Sequence, residues 1–254
     1  MRRLLPALLA LLLIPVALAQ ELTIAAAADL SYCLDDLNAT FKQSHPGIDI
    51  KVSTGSSGNF YAQIANGGPF DVFMSADMGY PQKLIDAGQA DGKTLMRYAI
   101  GKLAIWTLDS KLDLSAGLTA LRQPEVKRIA IASPEHAPYG RAAQQALEKA
   151  KLWDELQPRI VRGENISQTA QFVQTGNVDA GIVALSLLKA PKLQGVGHWV
   201  LVPLDAFPQM DQGAVVTQRG QANPLAAAYL AFLASPQART IFNRYGFELP
   251  TGNK

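Results

Sequence analysis

Apolar segments of strand length alternate with helical patterns along almost the whole chain, and nothing else in the sequence narrows the fold so far. Residues 22–28 read as a strand; Leu30, Leu34, Leu37 and Phe41 then recur at helical spacing until Pro46-Gly47 ends the run. Residues 49–53 alternate like a strand, 60–65 are helical up to Gly67-Gly68-Pro69, 71–75 form a short strand, and 81–87 a helix stopped by Gly88. The second half keeps the rhythm without repeating the sequence: strands at 103–106, 128–132, 159–161, 180–183 and 199–202, helices at 141–152 and 168–174. Asn223-Pro224 and Ser235-Pro236 each set a capping residue before a proline at the first helical position, so two helices close the chain, ending at Tyr245-Gly246. This alternation predicts an α/β fold with mainly parallel sheets. No Pro/Gly/Ser-rich tract marks a domain boundary.

One segment stands outside the rhythm. Arg2 and Arg3 precede the apolar run LLPALLALLLIPVALA, and Ala17-Leu18-Ala19 has the small-x-small pattern of a secretory cleavage site. A membrane span would need about 20 apolar residues and a charge cluster after them, whereas here Glu21 and a strand follow at once. Residues 1–19 are therefore expected to be a cleaved signal peptide, with no cysteine at the cleavage point to carry a lipid anchor. Without Arg2 and Arg3 the 23 basic residues become 21, equal to the 21 acidic ones. A chain with no net charge and no basic run offers no footing for nucleic acid or an anionic membrane surface. The lone cysteine, Cys33, has no internal partner and falls where a helix should face the core, so it reads as a small buried hydrophobe.

In open parallel sheets, ligands collect where strands end and helices begin, because the first amides of each helix point outward unpaired. Four such turns share a character: Ala27-Ala28-Asp29, Gly55-Ser56-Ser57-Gly58, Ala137-Pro138-Tyr139-Gly140 and Glu164-Asn165-Ile166-Ser167. Small, hydroxyl and turn-forming residues let backbone N–H groups approach a ligand, and helix N-termini favour anions. Any α/β protein needs small residues at such turns; the signal lies in their recurrence. Nucleotide motifs are absent, with neither G-x-x-x-x-G-K-[ST] nor G-x-G-x-x-G after a strand. His45, His136 and His198 have no metal-ligand spacing, so no metal site with direct protein ligands is expected. Ser57 stands outside a G-x-S-x-G elbow, with no base tied to it, so an enzyme is not expected. Asp35-Asp36 are adjacent on one helix, point in different directions and read as a solvated face.

AAAADL after the signal, GSSGNFYAQIANGGPFDVFMSAD, YAIGKLAIW, IASPEHAPYGRAAQQAL, VDAGIVAL and the closing RYGFELP run in that order over essentially the whole mature chain. Together they resemble the periplasmic molybdate-binding proteins of bacterial ABC importers. The resemblance implies a two-lobed type II periplasmic-binding fold, each lobe a mainly parallel sheet flanked by helices, with the ligand cleft between them. Carried onto this chain, lobe one takes residues 20–98 and 206–254, and lobe two residues 99–205. It implies a monomeric periplasmic receptor without a cofactor, which captures molybdate and tungstate and hands them to an inner-membrane ABC permease. Its oxyanion site would be Ala28, Asp29, Ser57, Tyr139 and Ile166, with Ser56, Gly58 and Ala184 as secondary positions. Ser57 would grip the anion by hydroxyl and amide, and Tyr139 and Ile166 by backbone amides.

Two positions depart from the family pattern. Some relatives carry a hydroxyl residue or Asn at Asp29, and a Tyr hydroxyl that completes some sites falls at Ala184. A carboxylate about 4 Å from a dianion would cost about 8 kcal/mol at an effective dielectric near 20. Asp29 is therefore expected to cap its own helix by accepting from the Tyr32 amide, offering only backbone to the anion. Tyr139 is the residue whose hydroxyl can replace the missing one. Sulfate, chromate, another oxyanion or a cationic ligand held by Asp29 are the other solutes such a cleft admits, and a Ser57-dependent hydrolase is the remote alternative.

Overall fold

The structure, a computed structural model, describes residues 20–251; the expected signal peptide lies outside the described residues. In chain order the strands are β1 (Glu21–Ala27), β2 (Asp49–Gly55), β3 (Val72–Ser75), β4 (Met96–Gly101), β5 (Leu103–Thr107), β6 (Ile129–Ala132), β7 (Ile160–Gly163), β8 (Ala180–Ala184), β9 (His198–Leu201) and β10 (Met210–Val216). The helices are α1 (Cys33–Ser44), α2 (Ser57–Ala65), α3 (Gly79–Asp86), α4 (Pro138–Lys149), α5 (Trp153–Leu156), α6 (Ile166–Gln174), α7 (Leu185–Leu188), α8 (Pro224–Leu233) and α9 (Pro236–Arg244).

The strands form two five-stranded sheets, ordered β2-β1-β3-β10-β4 and β7-β6-β8-β5-β9. β1 pairs parallel with β2 and β3, and β10 runs antiparallel to both β3 and β4. The second sheet repeats the plan: β6 is parallel to β7 and β8, and β5 is antiparallel to β8 and β9. In each sheet, then, four strands point one way and one opposes them.

Helices cover both faces of the first sheet, so its strands are apolar on both sides. Ile24, Ala26, Val72, Met74, Ala214 and Val216 pack into one core with α1, α8 and α9. Their neighbours Ala25, Phe73 and Val215 point the opposite way, against Phe60 and Ile64 of α2 and Leu84 of α3. The second sheet has its own core around Trp106, Ile129, Ile131, Leu147, Val173 and Ile182.

The chain leaves the first sheet at Lys102, between β4 and β5, and returns to it at Met210. β4 and β10 are the strands that the apolar pattern did not reveal. Arg97 and Gly101 interrupt β4, while Asp211, Gln212 and Gly213 open β10, where the register slips between Gln212 and Gly213. The first sheet therefore keeps β4 through Gly101, beyond the change of lobe expected at Ala99.

A difference at three helices positions the site. α2, α4 and α6 begin at Ser57, Pro138 and Ile166, two or three residues before the starts that periodicity gave at 60, 141 and 168. Their first turns, SGN, PYG and IS, are rich in small and polar residues and break the apolar stripe, yet they hold the candidate binding residues.

Candidate anion-binding site

Three helix starts meet between the sheets. Ser56 caps α2, its Oγ accepting from the Asn59 amide at 3.3 Å. Asn165 caps α6, its Oδ1 accepting from the amides of Ser167 and Gln168 at 3.0 Å each. α4 has no side-chain cap and opens on Pro138, which has no amide hydrogen to satisfy. The amides of Ser57, Tyr139 and Ile166 stand at first-turn positions that lack an intrahelical acceptor, and none donates to another protein group among the described residues. All three residues line one small cavity, together with Ala28 and Asp29. Ser57 is fully buried, and its Oγ accepts from the Ala76 amide at 3.0 Å. That orientation leaves the hydroxyl hydrogen for a further acceptor. The five residues expected to meet an oxyanion thus surround a single space, three from the first sheet's side and two from the second's.

Asp29 does not do what the sequence suggested. It makes no cap to Tyr32, whose helix start has no side-chain hydrogen bond. Its Oδ2 accepts instead from Tyr139 Oη at 3.0 Å and from Gln212 Nε2 at 2.6 Å. Oδ1 is buried without any partner. Burial pushes this carboxyl up to about 7, against the lowering effect of the Gln212 and Tyr139 hydrogen bonds. The expectation that Tyr139 supplies a hydroxyl to the ligand is corrected as well, because that hydroxyl is spent on Asp29. Burial, then the charge of Asp29, holds the Tyr139 hydroxyl well above its ordinary value, which keeps it a donor. Tyr98 completes the network, donating to Gln212 Oε1 at 2.8 Å.

The family of bacterial extracellular solute-binding proteins matches residues 22–248. The chain belongs to this family. It is 38% identical to the molybdate-binding protein of Azotobacter vinelandii over 97% of each chain. It is 36% identical to the molybdate-binding protein of Rhodobacter capsulatus, covering 91% of this chain and 89% of that one. The solved structure of the Azotobacter vinelandii periplasmic molybdate-binding protein matches with a TM-score of 0.85 at 33% identity, over 91% of this chain and 100% of that one. The architecture is the type II periplasmic-binding fold. These relatives are binding proteins by name.

In this solute-binding protein the lobes stand closed on each other. The Gly58 amide donates to the His136 carbonyl at 2.9 Å across the cleft, so it is not available to a ligand. Ser167 Oγ donates to the Ala28 carbonyl at 2.7 Å, and Ser186 Oγ to the Asp29 carbonyl at 2.8 Å. Arg141 of α4 bridges to Asp77 and donates to Tyr80 Oη at 3.3 Å. Of the secondary positions, Ser56 lines the cavity while serving as a cap, and Ala184 lies outside the cavity wall at the end of β8. Gln212, Tyr98, Ser186 and Arg141 were not singled out from the sequence. Their only advance signal was polarity inside or beside apolar runs, as in MDQGAVV.

The other polar candidates lie elsewhere. His136 Nε2 sits 3.1 Å from the Glu164 carbonyl and does not touch Ser57. Asp36 pairs with Arg244 and Tyr245 on the surface. Cys33 is buried in the first lobe's core. Among the described residues, no group of three or more His, Cys, Asp or Glu is placed to hold a metal ion.

Proposed function

We propose that this chain is the periplasmic receptor of an ABC importer, capturing molybdate, and tungstate with it, for delivery to an inner-membrane permease. The observation that carries the reading is the convergence of the unpaired amides of Ser57, Tyr139 and Ile166, with the Ser57 hydroxyl, on one cavity closed by both lobes. A fully deprotonated tetrahedral anion needs donors only, and toward the cavity these four groups are free to donate. Helix starts hold them fixed, and lobe closure removes water, so each hydrogen bond to the anion is stronger than it would be in solvent. Neutral donors suit a receptor that must also release its cargo. The names of the relatives narrow the anion to molybdate.

The role needs neither catalysis nor a cofactor, and a monomer suffices for it. Ser57 as a hydrolytic nucleophile is disfavoured by its partner, since the Ala76 amide is a donor and no base. A cationic ligand is disfavoured by the same set of donors, which would face it with the wrong sign.

Isothermal titration calorimetry of ligand-free protein should give one molybdate per chain, with tungstate binding at the same site and displacing it. No heat with either anion overturns the reading.

A further inference from the structure

A carboxyl group inside a dianion site is the least expected feature of this molecule. Asp29 lines the cavity, is 1% exposed and keeps Oδ1 without a partner. The groups facing it are all neutral. Tyr139 comes from α4 and Gln212 from β10, both donating to Oδ2. Tyr98 of β4 stands behind Gln212, Cys33 opens α1, and Ser186 of α7 donates to the Asp29 main-chain carbonyl. No Lys, Arg or His hydrogen-bonds to the carboxyl among the described residues, and the Arg141–Asp77 pair on the outer side of the cleft is satisfied within itself. An ionised Asp29 would set an unpaired anionic oxygen beside the bound anion, with no cation to offset either. A neutral Asp29 reverses the problem: two donors already fill Oδ2, so the acid hydrogen belongs on Oδ1, where the protein offers no acceptor and the anion supplies one.

We propose that Asp29 is a proton-carrying anion ligand, neutral in the complex and donating from Oδ1 to an oxygen of the bound oxyanion, so that each anion is captured together with one proton. The proposal rests on the oxyanion reading of the cleft. The proton comes from solvent and is held at Oδ1; only that O–H bond forms. Lobe closure prepares the group, because Tyr139 reaches Asp29 from the opposite lobe and removes it from water. Burial already pushes the carboxyl up to about 7 without an anion beside it, and a neighbouring dianion moves it further up. Opening of the cleft in front of the permease would then release anion and proton together.

The test is proton stoichiometry. Sodium molybdate is titrated into the full-length mature protein near neutral pH, in buffers of different ionisation enthalpy, and the slope of observed heat against buffer enthalpy counts protons. About one proton taken up per molybdate is expected, with affinity falling up to tenfold per pH unit on the alkaline side. Asp29→Asn keeps a donor there but cannot titrate, so its proton uptake should vanish and its affinity above about pH 8 should exceed that of the unaltered protein. Tight binding by the unaltered protein with no proton uptake overturns this proposal and leaves the receptor role standing. No binding of molybdate or tungstate overturns the receptor role and the proposal with it. Loss of binding at every pH in a folded Asp29→Asn protein also overturns the proposal. If that variant does not fold, the stoichiometry of the unaltered protein still decides.

Discussion

Gln212 donates to Asp29 through Nε2 and receives Tyr98 on Oε1, so it holds the acid from its own lobe while Tyr139 holds it from the other. In the closed form burial pushes Asp29 from the ordinary 3.8 up to about 7, and opening the cleft to water would relieve that burial and lower the value. Between those values the closed form holds more protons than the open one. Closure is therefore favoured at the acid end, and that contribution is lost as pH rises through the closed-form value. The Gln212 hydrogen bond lowers that value, so Gln212→Leu should move the alkaline fall in molybdate affinity to higher pH. Calorimetric affinities measured across the neutral range would show it, and an unmoved profile would mean that Gln212 does not control the acid. Sequence reading found Asp29 but misjudged it. A cap to the adjacent helix is the local answer, whereas the actual partners are 110 and 183 residues away in the chain and leave no local trace.

At the scale of elements, the strand–helix rhythm was legible wherever apolar periodicity carried it, and was lost at β4 and β10. Those strands begin or end in polar and glycine positions, because that is where they line the cleft and carry the chain between lobes. Helix starts were misplaced by two or three residues for a related reason. A first turn that presents amides to a ligand is interrupted by Ser, Pro and Gly, so a lone Tyr139 or Ile166 there makes no apolar stripe. The strand-to-helix turns already contained Ser57, Tyr139 and Ile166, and the resemblance to a known family singled them out within those turns. α4 shows what such a turn demands. A Cβ at Gly140 would stand 2.2 Å from the Ala132 carbonyl oxygen at the end of β6, a backbone atom that cannot swing aside. Gly140→Ala must therefore lift the helix start away from the sheet. We expect a loss of about 1–3 kcal/mol in urea unfolding, the usual cost of overpacking. Molybdate affinity should fall with it, since the adjacent Tyr139 amide is displaced. Unchanged stability would mean that α4 has slack against β6.

For the whole molecule the decisive question is whether binding requires the closed form. Gly58 offers a way to ask it, because its close neighbours come from both lobes. A Cβ there would stand 2.7 Å from the His136 carbonyl oxygen across the cleft, and 2.5 Å from Tyr80 Oη on its own side. The tyrosine hydroxyl lies at the end of a side chain that can turn, but the His136 carbonyl is backbone and moves only if the lobes part. Within α2 itself alanine is the better helix former, by about 1 kcal/mol. Gly58→Ala should consequently leave the thermal unfolding of the ligand-free protein close to that of the original. It should nonetheless weaken molybdate binding by roughly ten- to a hundredfold, as about 1–3 kcal/mol of strain is placed on closure alone. Small-angle X-ray scattering should then show a smaller contraction on adding molybdate than in the unaltered protein. Arg141→Ala provides the contrast. The Arg141–Asp77 bridge also spans the cleft, but it is partly exposed, and such pairs contribute about 1 kcal/mol or less. Its loss should cost no more than about fivefold in affinity. Gly58→Ala weaker than Arg141→Ala would mean that steric closeness of the lobes, rather than their charge pairing, sets the affinity; the reverse order would place the grip in the latch.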